Sequence, residues 1–199
     1  TASVINKAGA ESIKKSLDNI GAKDNYIQTI QSAAARKDSL NMTLVMNLKG
    51  AMANMQDDDV QIQVEKGIVM ISLSDKMLFK SGSYDISESA SNVLGKVAQV
   101  LNNQPDLEIL IEGHTDNVPI VKAGIRDNWD LSALRATSIA RVLQTKYAIN
   151  PKRITAGGKS EFNPLTTNDT AEGRSINRRT RIIIMPQLDQ FFKLLERKM

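Results

Sequence analysis

The stretch LEILIEGHTDN, residues 107–117, decides how the second half of the chain folds. Its first part, residues 107–111, is a short apolar run that predicts a buried strand. The polar residues Gly113 to Asn117 follow that strand directly. Because open α/β sheets bind ligands at the carboxyl ends of their strands, Asp116 is expected at a ligand-binding edge of the sheet.

The segments around this strand predict a sheet with helices packed on it. Upstream, Val60, Ile62 and Val64 alternate with glutamines, which is typical of a half-buried strand, and a turn at 65–67 leads into a return strand. The alternation of strands and helices downstream favours crossover connections and a sandwich over residues 60–199. The remaining predicted elements are helices over 86–101 and 131–146, strands over 153–156 and 179–185, one helical turn over 172–177, and a closing helix over 188–198.

Residues 1–50 are predicted to be helical. Ile13, Leu17, Ile20, Ile27 and Ala34 keep a spacing of three to four residues with polar residues between them. Polar interruptions argue against a long coiled coil, and a glycine at position 21 offers a break into two helices. We expect this segment to pack on a partner chain or on itself as a hairpin, although a solvated linker helix fits equally well.

An acidic run at 57–59 marks the expected domain boundary. The sequence is therefore divided into a helical or coiled-coil segment over residues 1–56 and a second domain over residues 60–199 that includes the closing helix. No apolar run reaches the roughly 20 residues that a membrane span needs. Any anchor or targeting segment is expected upstream of Thr1.

The composition narrows the function. The 199 residues include no Cys, one His and eight aromatic residues. These counts exclude disulfide-stapled folds, thiol nucleophiles and thiolate metal sites, and leave His114 as the only base for a serine triad. We therefore expect no metal, no cofactor and no catalytic residue.

The net charge of +4 is concentrated in residues 151–199, which hold ten basic and five acidic residues. In a strand, Arg179 and Arg181 share one face and Arg178 lies on the other, so they form no continuous nucleic-acid surface. The Gly-Lys-Ser at 158–160 has Arg153 where a P-loop needs its first glycine. We predict neither nucleic-acid nor nucleotide binding.

Asp116 and Arg135 are the main candidate binding residues. Asp127 or Asn128 is a candidate cap for the helix that carries Arg135, and the strand–loop–helix unit can bring Arg135 near Asp116. A carboxylate binds an ammonium and a guanidinium binds a carboxylate, so together they fit an amino-acid zwitterion. A plain ion pair that holds the loop explains the same two residues.

Three motifs carry a resemblance to a known family. In order and spacing they resemble the signature of the OmpA-like peptidoglycan-binding domain over residues 75–186. Two further segments, at 78–83 and 118–120, are most similar to the branch that includes the flagellar stator protein MotB. The three motifs are Gly113-His114-Thr115-Asp116-Asn117, Asn128-x-x-Leu131-Ser132-x-x-Arg135-Ala136 and Gly173-Arg174-x-x-Asn177-Arg178-Arg179.

The resemblance implies an α+β fold: a two-layer βαβαββ-type sandwich with helices on one side of a mixed sheet, here with an N-terminal helical extension. It also implies recognition of the diaminopimelate residue of peptidoglycan stem peptides. Asp116 would take its ammonium group and Arg135 its carboxylate. The implied groove includes Asn128, Thr115, Leu131, Asn177 and Arg178, of which the last two either order their loop or contact the ligand. His114 is expected to hydrogen-bond the loop, and Trp129 to flank the groove or cap its helix.

The expected function is therefore non-catalytic tethering to the cell wall, in the periplasm and cell envelope. The expected partners are peptidoglycan and, through the helical segment, a second copy of the chain. The full-length protein would be associated with the outer or inner membrane through its upstream anchor. One alternative is the periplasmic part of a MotB-like ion-driven motor stator. An enzyme acting on cell-wall peptide ranks below both, because the sequence has one His, no Cys and no paired carboxylates expected at a common catalytic site.

Overall fold

The structure is a computed structural model that describes residues 2–55 and 58–186. A long N-terminal helix precedes a five-stranded sheet and its covering helices. The helices are α1 (Ala2–Ala51), α2 (Asp75–Leu78), α3 (Glu88–Asn102), α4 (Asn128–Thr145) and α5 (Ala171–Asn177), with a 3-10 turn at Pro151–Arg153, and the strands are β1 (Val60–Glu65), β2 (Ile68–Ser74), β3 (Leu107–His114), β4 (Ile154–Gly158) and β5 (Arg179–Pro186).

The sheet is mixed, in the order β1-β2-β5-β3-β4. Strands β3 and β4 run parallel, and the other neighbouring pairs are antiparallel. The last strand, β5, is thus inserted between β2 and β3. From β2 onward the strands and the two long covering helices follow the expected order βαβαββ. Strand β1 is added at the edge, because a tight turn at Lys66 and Gly67, both with positive φ, joins it directly to β2.

One face of the sheet carries the core. Register places Ile71, Ile182 and Ile111 side by side on the three central strands, and all three are fully buried. Helices α3 and α4 cover this face through residues such as Val97 and Ile139. The α+β class with helices packed on a mixed sheet, and with an N-terminal helix, is confirmed.

The helix boundaries have local causes. Ser87 caps α3 by accepting a hydrogen bond from the backbone N–H of Ala90 at 3.0 Å, and the helix ends at Asn102, shortly before a proline. Asp127 is the cap of α4, since its side chain accepts from the N–H of Asp130 at 3.0 Å. Of the two candidate caps, the structure selects Asp127. The predicted closing helix over 188–198 lies outside the described residues.

Helix α1 is one continuous helix, so the predicted break at Gly21 and the hairpin alternative are wrong. Its last turns pack into the core formed by the sheet and its covering helices (residues 60–186, here called the sheet domain) through Leu44, Leu48 and Met52. The more N-terminal position Leu17 is exposed. Within residues 2–55 and 58–186, no helix combines the length and the apolar character needed to cross a membrane.

The burial of Leu48 generates a stability prediction. We expect Leu48→Ala to lower the free energy of unfolding by about 2–5 kcal/mol, because it leaves a cavity between α1 and the sheet domain. Leu48 is 0% exposed, whereas Met46 two positions earlier is 68% exposed. Met46→Ala is therefore the matched control and should change the stability by less than about 0.5 kcal/mol. Urea unfolding followed by circular dichroism measures both, and equal effects would contradict the packing of α1 on the sheet.

Candidate ligand-binding site

The site is built where the first turns of α4 meet the ends of β3 and β4. A Cβ added at Gly113 would lie 2.1 Å from the backbone oxygen of Ser132, and one at Gly158 would lie 2.4 Å from its Oγ. The two glycines therefore permit a helix–strand approach that no side chain would allow. The Oγ of Ser132 also accepts the backbone N–H of Ser160 at 3.1 Å, and the oxygen of Ser160 accepts the N–H of Thr115 at 3.0 Å.

Asn128, in the first turn of α4, holds the loop that follows β3. Its amide nitrogen lies 3.2 Å from the backbone oxygen of Asp116 and 3.1 Å from that of Val118. It lies 2.6 Å from a carboxylate oxygen of Glu161 in the next loop. Asn128 is buried and joins three segments, so the structure gives it the role of fixing the main chain around Asp116.

Asp116 is 6% exposed and forms an ion pair with Arg178. Its Oδ2 lies 2.6 Å from Nη1 of Arg178, and its Oδ1 accepts the backbone N–H of Val118 at 3.0 Å. The sequence predicted that Asp116 faces Arg135. Asp116 and Arg135 are coupled electrostatically, but the ion-pair partner of Asp116 is Arg178.

Arg135 forms its own ion pair with Asp75, the first residue of α2. Its Nε donates to the backbone oxygen of Ser83 at 3.0 Å, and its guanidinium carbon lies 5.1 Å from the centre of the Phe79 ring. The side chain is enclosed, since Arg135 is only 3% exposed, and burial holds its pKa below the usual range. The Arg135 guanidinium is therefore shielded from bulk water by the groups that surround it.

Asp75 is the central site residue that the sequence analysis missed. It is 5% exposed, and its backbone N–H donates to the oxygen of Arg178 at 3.1 Å. Burial raises the pKa of Asp75 to about 6, against the opposing effect of Arg135 and Arg178. The signal available in the sequence was that Asp75 follows a predicted strand, as Asp116 does.

The four charges therefore form one cluster of alternating sign, which we call the charge cluster. Two carboxylates come from Asp75 and Asp116, and two guanidinium groups come from Arg135 and Arg178. The charges of Asp116 and Arg178 also act on Asp75 of the other pair. The segments that meet here are the end of β2, the loop after β3, helix α4 and the residue after α5. Such a cluster is neutral overall and can exchange its internal pairs for the two charges of a zwitterion.

The remaining predicted site residues have mainly structural contacts. Asn177 is fully buried, and its Oδ1 accepts the N–H groups of Leu165 and Thr166 at 2.8 and 3.1 Å. Its amide nitrogen donates to the oxygen of Thr166 at 2.8 Å, so Asn177 orders the loop before α5. Thr115 and Leu131 are both buried, the first beside Asp116 and the second in α4.

His114, Trp129 and Arg179 each lie within two residues of a predicted site residue in the sequence. His114 ends β3 and is buried, with Nε2 3.6 Å from a carboxylate oxygen of Glu112, and no hydrogen bond to its ring is present among the described residues. The expected hydrogen bond to the loop is thus not observed. Trp129 is half-exposed and packs on Phe162 with ring centres 5.6 Å apart. Arg179 is buried, which lowers its pKa to about 10.

Known proteins share parts of this sequence and its fold. The sequence model of the OmpA family matches residues 78–178, half of the chain. Motility protein B of Bacillus subtilis is 34% identical over 119 residues, which cover 60% of this chain and 46% of that protein. The chain thus spans about half the length of this relative.

Two solved structures share the fold. A putative MotB-like protein from Desulfovibrio vulgaris superposes with a TM-score of 0.69 at 25% identity, over 75% of this chain and 96% of that one. The cell wall anchor of the T6SS from Pseudomonas aeruginosa superposes with a TM-score of 0.63 at 29% identity. That alignment covers 70% of this chain and 97% of the other.

The close approach at Gly113 generates a second prediction. We expect Gly113→Ala to lower the free energy of unfolding by about 1–3 kcal/mol, because the new methyl group would overlap the backbone of Ser132 and push α4 away. Gly157, one residue before the other close contact, has open space around its Cβ position. Gly157→Ala is the control and should leave stability within about 0.5 kcal/mol. If urea unfolding gave the two variants equal stability, the tight packing of α4 on β3 would be refuted.

Proposed function

The chain belongs to the OmpA family, and on that premise we propose that it binds peptidoglycan without turnover and tethers an envelope protein or complex to the cell wall. The proposed ligand is the diaminopimelate residue of the stem peptide. The observation that carries this proposal is the charge cluster at the carboxyl end of strand β3. An enzyme acting on the cell wall is not favoured by any observation at this cluster.

The charges of the cluster match the free end of diaminopimelate, which carries one ammonium and one carboxylate. We infer that the ammonium takes the place of Arg178 on Asp116, because Arg178 is partly exposed and its pair is the one that solvent reaches. The released Arg178 and the enclosed Arg135 are then available to the ligand's carboxylate side. Net charge is conserved through this exchange, so no uncompensated charge is left buried.

The named relatives support a role at the cell wall. One similar structure is described as a cell wall anchor, and the similar Bacillus protein as a motility protein. We therefore propose a location in the periplasm, within the cell envelope, and peptidoglycan rather than nucleic acid as the partner. Asp116 beside Arg178 supports this choice, because a carboxylate there would repel a phosphate.

The second candidate function is the periplasmic part of a MotB-like ion-driven motor stator. The observation that favours it is the 34% identity to Motility protein B over 119 residues. Both candidates use the same ligand site and differ in the anchor that joins the domain to a membrane. The sequence encoded upstream of Thr1 in the gene separates them: an apolar span of roughly 20 residues favours the stator, and a lipid-modified cysteine favours an outer-membrane lipoprotein.

We also propose that the chain acts as a dimer through α1. Ile13, Leu17, Ile20 and Ile27 form an apolar stripe on this helix and are each at least 50% exposed. Helices in proteins gain most of their stability by packing an apolar face, so burial of this stripe against a second copy would stabilise α1. Two weak binding sites held in one dimer would attach far more firmly to the many repeats of a wall than either site alone.

The peptidoglycan proposal is tested by sedimentation with purified diaminopimelate-type peptidoglycan. We expect Asp116→Ala to lower the bound fraction at least about tenfold, because the ammonium loses its carboxylate. Arg135→Ala should lower the bound fraction in the same way. Arg135→Lys separates an effect on binding from an effect on folding, since it keeps a positive charge beside Asp75 but loses the planar guanidinium and its several N–H donors.

Arg141→Ala is the control on the same helix, at an exposed position. It should bind like the wild-type protein. If folded Asp116→Ala and Arg135→Lys bind as much peptidoglycan as the wild-type protein, the site assignment is overturned. If the wild-type dimer does not sediment with peptidoglycan, the proposed function is overturned.

The dimer is tested by sedimentation velocity over a range of protein concentrations. We expect Leu17→Glu to shift the population to monomer by placing a charge in the apolar stripe. Ala22→Glu adds the same charge on the outer side of the helix and should leave the dimer intact. A wild-type chain that remains monomeric at the highest concentration would contradict the proposal.

A further inference from the structure

Asp75 and Arg135 together present a donor and an unused acceptor at one place. Arg135 donates its Nε–H to the backbone oxygen of Ser83 and pairs with one oxygen of Asp75. Its other guanidinium N–H groups can therefore donate hydrogen bonds to a ligand. The second oxygen, Oδ1 of Asp75, is buried and has no hydrogen-bond partner among the described residues. A buried acceptor without a donor is costly, so this oxygen is the natural position for a ligand N–H.

We propose that Asp75 and Arg135 recognise a primary carboxamide, so that the site prefers diaminopimelate amidated at the end that enters it over the free acid. The inference rests on the proposed function and adds the chemical form of the ligand. The amide oxygen accepts from the Arg135 guanidinium, and the amide N–H group donates to Oδ1 of Asp75. A carboxylate offers two acceptors and no donor, so it satisfies only Arg135.

The local charge beside Asp75 favours the amide as well. Arg135 is already neutralised by Asp75, and both are at least nine-tenths buried. A ligand carboxylate would place a second negative charge beside Asp75 in this enclosed region, and its desolvation would be offset by one guanidinium that is already shared. A neutral amide carries no such cost.

The other charged groups that face Asp75 do not reverse this balance. Arg178 lies after α5 and Asp116 follows β3, and their effects on Asp75 are of opposite sign. When the ligand's ammonium occupies Asp116, Arg178 is the cation of the cluster that is free to move toward an added carboxylate. Since Arg178 is partly exposed, it meets the ligand at the solvent side and not at the enclosed Asp75.

The preference should depend on pH in a stated direction. The pKa of Asp75 is raised to about 6, so Asp75 is ionised at a pH of about 7.5 and increasingly protonated as the pH falls below 6. Protonation removes the competing negative charge and turns Oδ1 or Oδ2 into a donor. The free acid should therefore gain affinity relative to the amide as the pH falls from about 7.5 to about 5.

The test uses calorimetric titration of the wild-type protein with two stem tripeptides, one ending in meso-diaminopimelate and the other in its side-chain amide. At a pH of about 7.5 we expect the amide to bind about tenfold more tightly, which corresponds to about 1.4 kcal/mol. Asp75→Asn should bring the preference to unity or reverse it, because Arg135 is then left without a carboxylate. Asp106→Asn, at an exposed position, is the charge-matched control and should keep the wild-type preference.

The outcomes separate this inference from the proposed function. The inference alone is overturned if the wild-type protein binds both peptides with equal affinity or prefers the free acid. It is also overturned if a folded Asp75→Asn loses affinity for both peptides equally. Sedimentation on peptidoglycan by a wild-type protein that binds neither peptide overturns the inference alone as well. Binding of neither peptide, with no sedimentation on peptidoglycan, overturns the proposed function as well. If Asp75→Asn does not fold, the wild-type titrations at the two pH values decide, and an unchanged preference between them overturns the inference.

Discussion

The close packing of α4 against the ends of β3 and β4 is the contact on which the site depends. Gly113 and Gly158 leave room for Ser132 of the helix to lie against both strands. Because the helix lies so close, Asn128 in its first turn reaches the loop after β3 and binds the backbone oxygen of Asp116. The position of the proposed binding carboxylate is therefore a consequence of helix–strand packing.

The two ion pairs of the charge cluster differ in burial, and this difference assigns them different roles. Asp75 and Arg135 are enclosed, so removing one partner would leave an uncompensated buried charge. Arg178 is partly exposed, so its guanidinium can return to water when its pair with the buried Asp116 is replaced. Exchange with a ligand is therefore easiest at Asp116, while the enclosed pair keeps its geometry.

The sequence predicted the elements well and the pairing of charges poorly. Period-2 alternation located β1, the turn after it located β2, and a strand followed by a polar loop located Asp116, because all three signals are local. The ion-pair partner of Asp116 is 62 residues away in sequence, and it arrives because β5 inserts between β2 and β3. No local pattern encodes that insertion. The continuity of α1 through Gly21 was missed because one glycine costs a helix only about 1 kcal/mol.

Helix α1 is packed rigidly on the part of the chain that carries the charge cluster. Its last turns lie in the core through Leu44 and Leu48, so the helix cannot change direction without disturbing the sheet domain. Its exposed stripe ends at Ile27, roughly four to five turns before Leu44 at a rise of about 1.5 Å per residue. A partner bound to that stripe would therefore be held at a fixed distance from the proposed ligand site. A spacing that lets both sites of a dimer bind at once is the condition under which weak binding at each becomes firm attachment of the pair.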